Sequence, residues 1–129
     1  MLVNERFSGS CYRAQTLASI LAKSPWKLLN KHGTLSLSTP SQMELIIGCR
    51  NAAKLRHLCL FLERFEIRGL SATIGDTAVE LLYQYRLSHG LLLADALIAA
   101  TALECGETLY TKNVRHFRMI TGLTVVRPY

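Results

Sequence analysis

The sequence predicts a single α/β domain with helices on both faces of a mainly parallel sheet. Short β-type segments alternate with helical ones from residue 34 to residue 126, which is the pattern of strand–helix–strand units. No internal repeat or low-complexity run competes with that order. The chain has 129 residues, enough for one compact core and too few for two ordinary ones.

The elements follow from local chemistry. A polar start around Gly9 and Ser10 leads into a helix from Ala14, which Pro25 interrupts and Ser24 caps again. Gly33 closes it, and TLSLS, residues 34–38, alternates apolar with polar as a half-buried strand does. Thr39 then serves as N-cap, with Pro40 at the first helical position and Gln42 three residues after the cap, as in a capping box. Gly48 and Asn51 loosen this helix, after which Leu55, Leu58, Leu62 and Phe65 recur at helical spacing. EIRGL, residues 66–70, reads as a short strand. Ser71 caps a helix whose stripe of Ile74, Ala78, Leu81, Leu82 and Tyr85 ends at Gly90. The apolar segment LLLADALIAATALE, residues 91–104, is a further helix stopping near Gly106. TLY, residues 108–110, is a strand, NVRHF, residues 113–117, a helical turn, and LTVV, residues 123–126, a last strand before Pro128.

Composition and missing motifs narrow the function. Lys and Arg number 15 against 9 Asp and Glu, a formal charge of +6, which favours a polyanionic partner. Cys11, Cys49, Cys59 and Cys105 form no C-x-x-C pair and have no histidine at zinc-finger spacing, which fits a reducing, cytoplasmic setting. The apolar runs are too short for a signal segment or a bilayer span, and Asp95 interrupts the longest. There is no G-x-x-x-x-G-K-[ST], G-x-G-x-x-G, G-x-S-x-G or H-E-x-x-H, so the usual signatures of nucleotide-binding, serine-hydrolase and zinc-protease sites are absent. His32, His57, His89 and His116 are scattered, with no metal-type partner three or four residues away, and read as surface or turn histidines.

Three oxygen-bearing residues stand out. Asp95 lies near the start of an apolar helix, where the backbone N–H groups favour a carboxylate, the reading its position alone supports, with a ligand role as the alternative. Glu44 has capping spacing from Ser41, yet with Thr39 as the cap it falls beyond the capping turn, beside Leu45, Ile46 and Ile47. Asn113 follows the TLY strand, with Thr111 just before it. Together Glu44, Asp95 and Asn113 offer the hard oxygen ligands that Mg²⁺ or Mn²⁺ prefers.

SQMELIIGCRN, YRLSHGLLLADALIAATALECG and LYTKNVRHFRMITGLTVVRPY, in this order and spacing, resemble a PIN-domain ribonuclease of the VapC toxin type. The resemblance covers about residues 33–129 of a single domain over 1–129, leaving 1–32 atypical. It implies an α/β/α sandwich with a mainly parallel central sheet, whose acids bind Mg²⁺ or Mn²⁺ and direct a water at an RNA phosphodiester. Glu44 matches the acid of the E-L-x-x-G motif, Asp95 that of D-A-L-I-A-A, and Asn113 the polar or acidic position after T-x in the last motif. The resemblance thus implies Glu44, Asp95 and Asn113 as catalytic metal ligands. Thr111, Lys112, Arg115, His116 and Arg118 become candidates to hold the RNA backbone, with Arg50 and Arg86 as further cations. It also implies a VapB-type antitoxin as partner, and pairing of two copies through apolar helical faces around Leu55 to Phe65 and Ile74 to Tyr85.

The chain departs from the family pattern in one respect. Such proteins begin with an apolar strand ending in an aspartate upstream of the E-L-x-x-G acid, whereas the first aspartate here is Asp76 and the one carboxylate before Glu44 is Glu5. Two expectations follow. In the first, the protein is an active toxin endoribonuclease with Glu5 standing in for the aspartate. In the second, the N-terminus is truncated, frame-shifted or decayed, and a catalytically defective PIN domain retains antitoxin or RNA binding. An unrelated α/β binding domain is the third reading.

Overall fold

The computed structural model describes residues 35–111 and 113–127. The helix expected from Ala14, its restart at Ser24 and Pro25, the Gly33 stop, Glu5, Lys112 and Pro128 lie outside the described residues. The described elements are β1 (Leu35–Ser38), α1 (Thr39–Ile47), α2 (Ala52–Leu62), β2 (Phe65–Arg68), α3 (Ala72–His89), α4 (Leu93–Cys105), β3 (Leu109–Tyr110), α5 (Val114–Phe117) and β4 (Val125–Val126).

Both strand pairs are parallel, as the alternating order predicts. β1 pairs with β2, Leu35 opposite Phe65 and Ser38 opposite Arg68. β3 pairs with β4, Leu109 opposite Val125. Helices α1 and α2 form the crossover in the first pair and α5 lies in the second. The alternation of TLSLS suggested one wet face, but all four residues of β1 are buried, the two serines included. A parallel strand is covered on both faces, so its small polar side chains are enclosed and must find partners. Ser36 Oγ donates to Glu107 Oε1 at 3.4 Å.

Two hydrophobic clusters organise the chain. One gathers Leu35, Leu37, Leu45, Leu58, Phe61, Leu62 and Phe65 from β1, α1, α2 and β2. The other gathers Ile74, Ala78 and Leu81 of α3, the inner residues of α4, Leu109, Phe117 and Ile120. Helix α4 sits deepest: Ala96, Ile98, Ala99, Ala100 and Ala102 are at most 1% exposed, and the small side chains let neighbouring elements approach closely. Arg68 at the end of β2 donates through Nε and a terminal nitrogen to Glu107, just before β3, linking the two clusters.

The helical repeat through Leu55, Leu58, Leu62 and Phe65 is broken by the structure. Helix α2 ends at Leu62, and Phe65 instead opens β2 and stacks edge-on against Phe61. Leu58, Phe61 and Leu62 are consumed by the protein's own core, as are Ile74, Ala78 and Leu81. Among the described residues, an apolar face left open is the outer side of α3, where Val79, Tyr83 and Leu87 follow one another at four-residue spacing and are 51%, 85% and 99% exposed. A groove of about 640 Å³ beside it is lined by Leu82, Leu91, Leu92 and Leu93 among others.

Candidate active site

Helix α1 leaves the end of β1, and its first turn sets where Glu44 points. Ser38, rather than Thr39, is the N-cap: its extended backbone and side-chain oxygen, which accepts from the Ser41 N–H at 3.4 Å, meet the capping requirement. Thr39 is taken up elsewhere, its hydroxyl donating to the Arg68 carbonyl at 2.7 Å and tying the start of α1 to the end of β2. Pro40, Ser41 and Leu45 are buried. Glu44 lies one turn on from Pro40 and Ser41, so it shares their inward side and is half-buried. Met43, Ile46 and Ile47 face outward, Ile47 being 81% exposed. An acid turned inward while isoleucines face solvent is the reverse of ordinary patterning.

Asp95 occupies the first turn of α4, whose N-cap position, Leu92, offers no side-chain cap. Its carboxylate is 17% exposed, and Oδ2 lies 3.2 Å from His116 Nδ1. An ionised carboxylate can only accept, so the imidazole donates. Burial pushes the Asp95 carboxyl above its ordinary range, and His116 pulls it part of the way back. Glu44 is pushed up as well, first by burial and then by the charge of Asp95. The two acids are therefore close enough to feel each other across the fold.

The third sequence motif reaches Asp95 through His116. Thr111 follows β3 and is fully buried, and its Oγ1 accepts from the Asn113 N–H at 3.1 Å. Asn113 begins α5 without a side-chain capping bond; its carbonyl accepts from the His116 N–H at 2.9 Å. Phe117, 1% exposed, anchors this single turn in the core. Arg115 and Arg118 are exposed. Arg86 is engaged at the end of α3, donating to the carbonyls of Gly90 and Leu91 at 3.1 Å each, and Arg50 is an exposed residue between α1 and α2.

Asp95 is thus linked to Glu44 through its charge and to the α5 turn, which also carries Asn113, through His116. Among the described residues no group of three or more His, Cys, Asp and Glu is placed to hold a metal ion. Sequence reasoning missed the direct contact between His116 and Asp95. Those residues are 21 positions apart, and no local spacing encodes such a pair.

Comparison with known proteins agrees with this architecture. Residues 15–122 match the PIN domain family. The chain is 36% identical over 109 residues to ribonuclease VapC10 of Mycobacterium tuberculosis, covering 83% of this chain and 81% of that one. It is 32% identical over 112 residues to ribonuclease VapC19 of the same organism, covering 86% of each. Among solved structures it is similar to a toxin–antitoxin complex from Klebsiella pneumoniae, with a TM-score of 0.73 and 25% identity over 99% of this chain and 97% of that one. It is also similar to VapBC2 from Rickettsia felis bound to a promoter DNA fragment, with a TM-score of 0.71 and 25% identity over 98% of each.

Proposed function

This chain belongs to the PIN-domain family, within its VapC-type ribonuclease toxins, and we propose that it cleaves RNA with a divalent cation held between Glu44 and Asp95. The observation that carries this is the pair of inward carboxylates, each with its proton affinity raised by burial and Glu44 further disturbed by Asp95. Two hard oxygen donors that repel each other fit Mg²⁺ or Mn²⁺, which would relieve that repulsion. Asn113, on the α5 turn, is the third oxygen donor of the set. When bound, such an ion neutralises phosphodiester charge and lowers the pKa of the attacking water. Glu44 and Asp95 would hold the ion between their carboxylates, so no side-chain nucleophile would be needed. Lys112, Arg115 and Arg118 are the candidates to hold the RNA backbone, as point charges or forks on phosphate oxygens. Thr111 is buried with its hydroxyl oxygen on the Asn113 N–H, and His116 is engaged by Asp95, which takes both out of that set.

The partner we assign is a VapB-type antitoxin with an acidic or apolar tail, suited to a basic site mouth. Two copies of the chain pair through the outer face of α3. No helix among the described residues is long and apolar enough to cross a membrane, and the assigned setting is the cytoplasm.

Mn²⁺ titration tests the metal reading. It should raise the melting temperature of the wild-type chain, and Asp95→Asn should lose both that shift and cleavage of single-stranded RNA while remaining folded. A full shift retained by Asp95→Asn would remove Asp95 from the ligand set. A second reading, a defective PIN domain that still binds its antitoxin, is favoured by the count of two carboxylates in the described site. A Mn²⁺ shift in the wild type without RNA cleavage would select it.

A further inference from the structure

Resting on the metal reading above, we propose that His116 is a positioning residue: it fixes the Asp95 carboxylate by holding one oxygen, leaving the other for the cation. The claim stands on how α5 is built. This helix is a single turn, too short to be stable by itself, and the structure secures it at several points. Phe117 is buried at 1% exposure. The Asn113 carbonyl accepts from the His116 N–H, and the Val114 carbonyl accepts from the Arg118 N–H at 2.9 Å. A turn held in this way delivers its one outward imidazole to a fixed place, and the place is Asp95 Oδ2, 3.2 Å from Nδ1.

Asp95 needs such a contact. Its own helix start carries no side-chain cap, and it shares the site with the like charge of Glu44. A carboxylate left alone there would rotate away from its neighbour, and ordering it again on metal binding would cost rotamer freedom. With Nδ1 on Oδ2, that freedom is removed beforehand and Oδ1 is left for the ion. Hydrogen-bond donors to metal-binding carboxylates act in this manner, and losing such a partner lowers metal affinity roughly 10- to 100-fold. His116 is 43% exposed, so replacing it disturbs little packing.

The test compares full-length wild type, His116→Ala, His116→Asn and His116→Gln by calorimetric titration with Mn²⁺ alone, followed by steady-state cleavage of a single-stranded RNA. The Asn amide nitrogen reproduces the position of Nδ1, whereas that of Gln lies nearer Nε2. His116→Ala and His116→Gln should bind Mn²⁺ roughly 10- to 100-fold more weakly, His116→Asn should recover most of the affinity, and the KM for RNA should stay near the wild-type value. Should His116→Ala fail to fold, the difference between Asn and Gln decides alone. Wild-type Mn²⁺ affinity in the Ala and Gln variants, with a raised KM, would overturn the proposal and make His116 an RNA contact. Equal affinity in the Asn and Gln variants would overturn it too. Absence of Mn²⁺ binding by the wild type would overturn both this inference and the metal reading on which it rests.

Discussion

Replacing Glu44 with Gln removes one of two charges that the fold brings together, and the sign of its effect on stability follows from proton linkage. The folded protein raises the Glu44 pKa above its ordinary value of 4.5, so over the interval above that value the native state binds the proton more readily than the unfolded chain does. Stability from this group therefore increases as pH falls from neutral towards 4.5, and is lost as pH rises through the folded pKa. Asp95 contributes in the same direction above its ordinary 3.8. In the presence of a chelator, Glu44→Gln should melt higher than wild type at pH 7 and show a flatter dependence on pH between 4.5 and 7. Thermal denaturation across that range checks both. An unchanged melting temperature at pH 7 would mean that the charge on Glu44 is already relieved by another group.

At the scale of elements, α3 is the helix whose ends were most legible. Ser71 accepts from the Ile74 N–H at 3.2 Å, and Gly90 closes the helix in the left-handed region at φ 70°, a conformation that glycine adopts without strain. Ser71→Ala should cost about 1 kcal/mol, seen as a lower urea midpoint with an unchanged slope. Caps of this kind are local chemistry, which is why Ser71, Gly90 and Gly106 could be read from the sequence. The start of α1 could not. Ser38 and Thr39 both carry a capping hydroxyl, and what separates them is the bond from Thr39 to the Arg68 carbonyl, 29 residues away. The helical spacing that runs on to Phe65 misled for the same reason, because pairing with Leu35 recruits that residue into a strand. The acids Glu44 and Asp95 were legible as charges in apolar runs, whereas the contact from His116 to Asp95 exists only once α5 is folded against α4.

At the scale of the whole molecule, the proposed pairing of two copies rests on the outer face of α3. Leu87 is 99% exposed and Tyr83 85% exposed, so neither stabilises the monomer appreciably, and a continuous apolar ridge next to a groove is the surface two copies would cover. Leu87→Glu should leave the melting temperature of the monomer unchanged and weaken self-association about tenfold or more, measured by light scattering across micromolar concentrations. A wild-type chain that stays monomeric throughout would remove this interface. The two hydrophobic clusters have a different bearing on the site. Glu44 sits next to Leu45 of one cluster and Asp95 next to Ala96 of the other, so the gap between the acids depends on how α1 and α4 pack against each other. On the proposed metal reading, an ion held between the two acids would act as a cross-link, whose stabilisation of that arrangement grows as RT ln(1 + [L]/Kd). On that reading, loosening of α1 against α4 would separate the acids and weaken their hold on the ion.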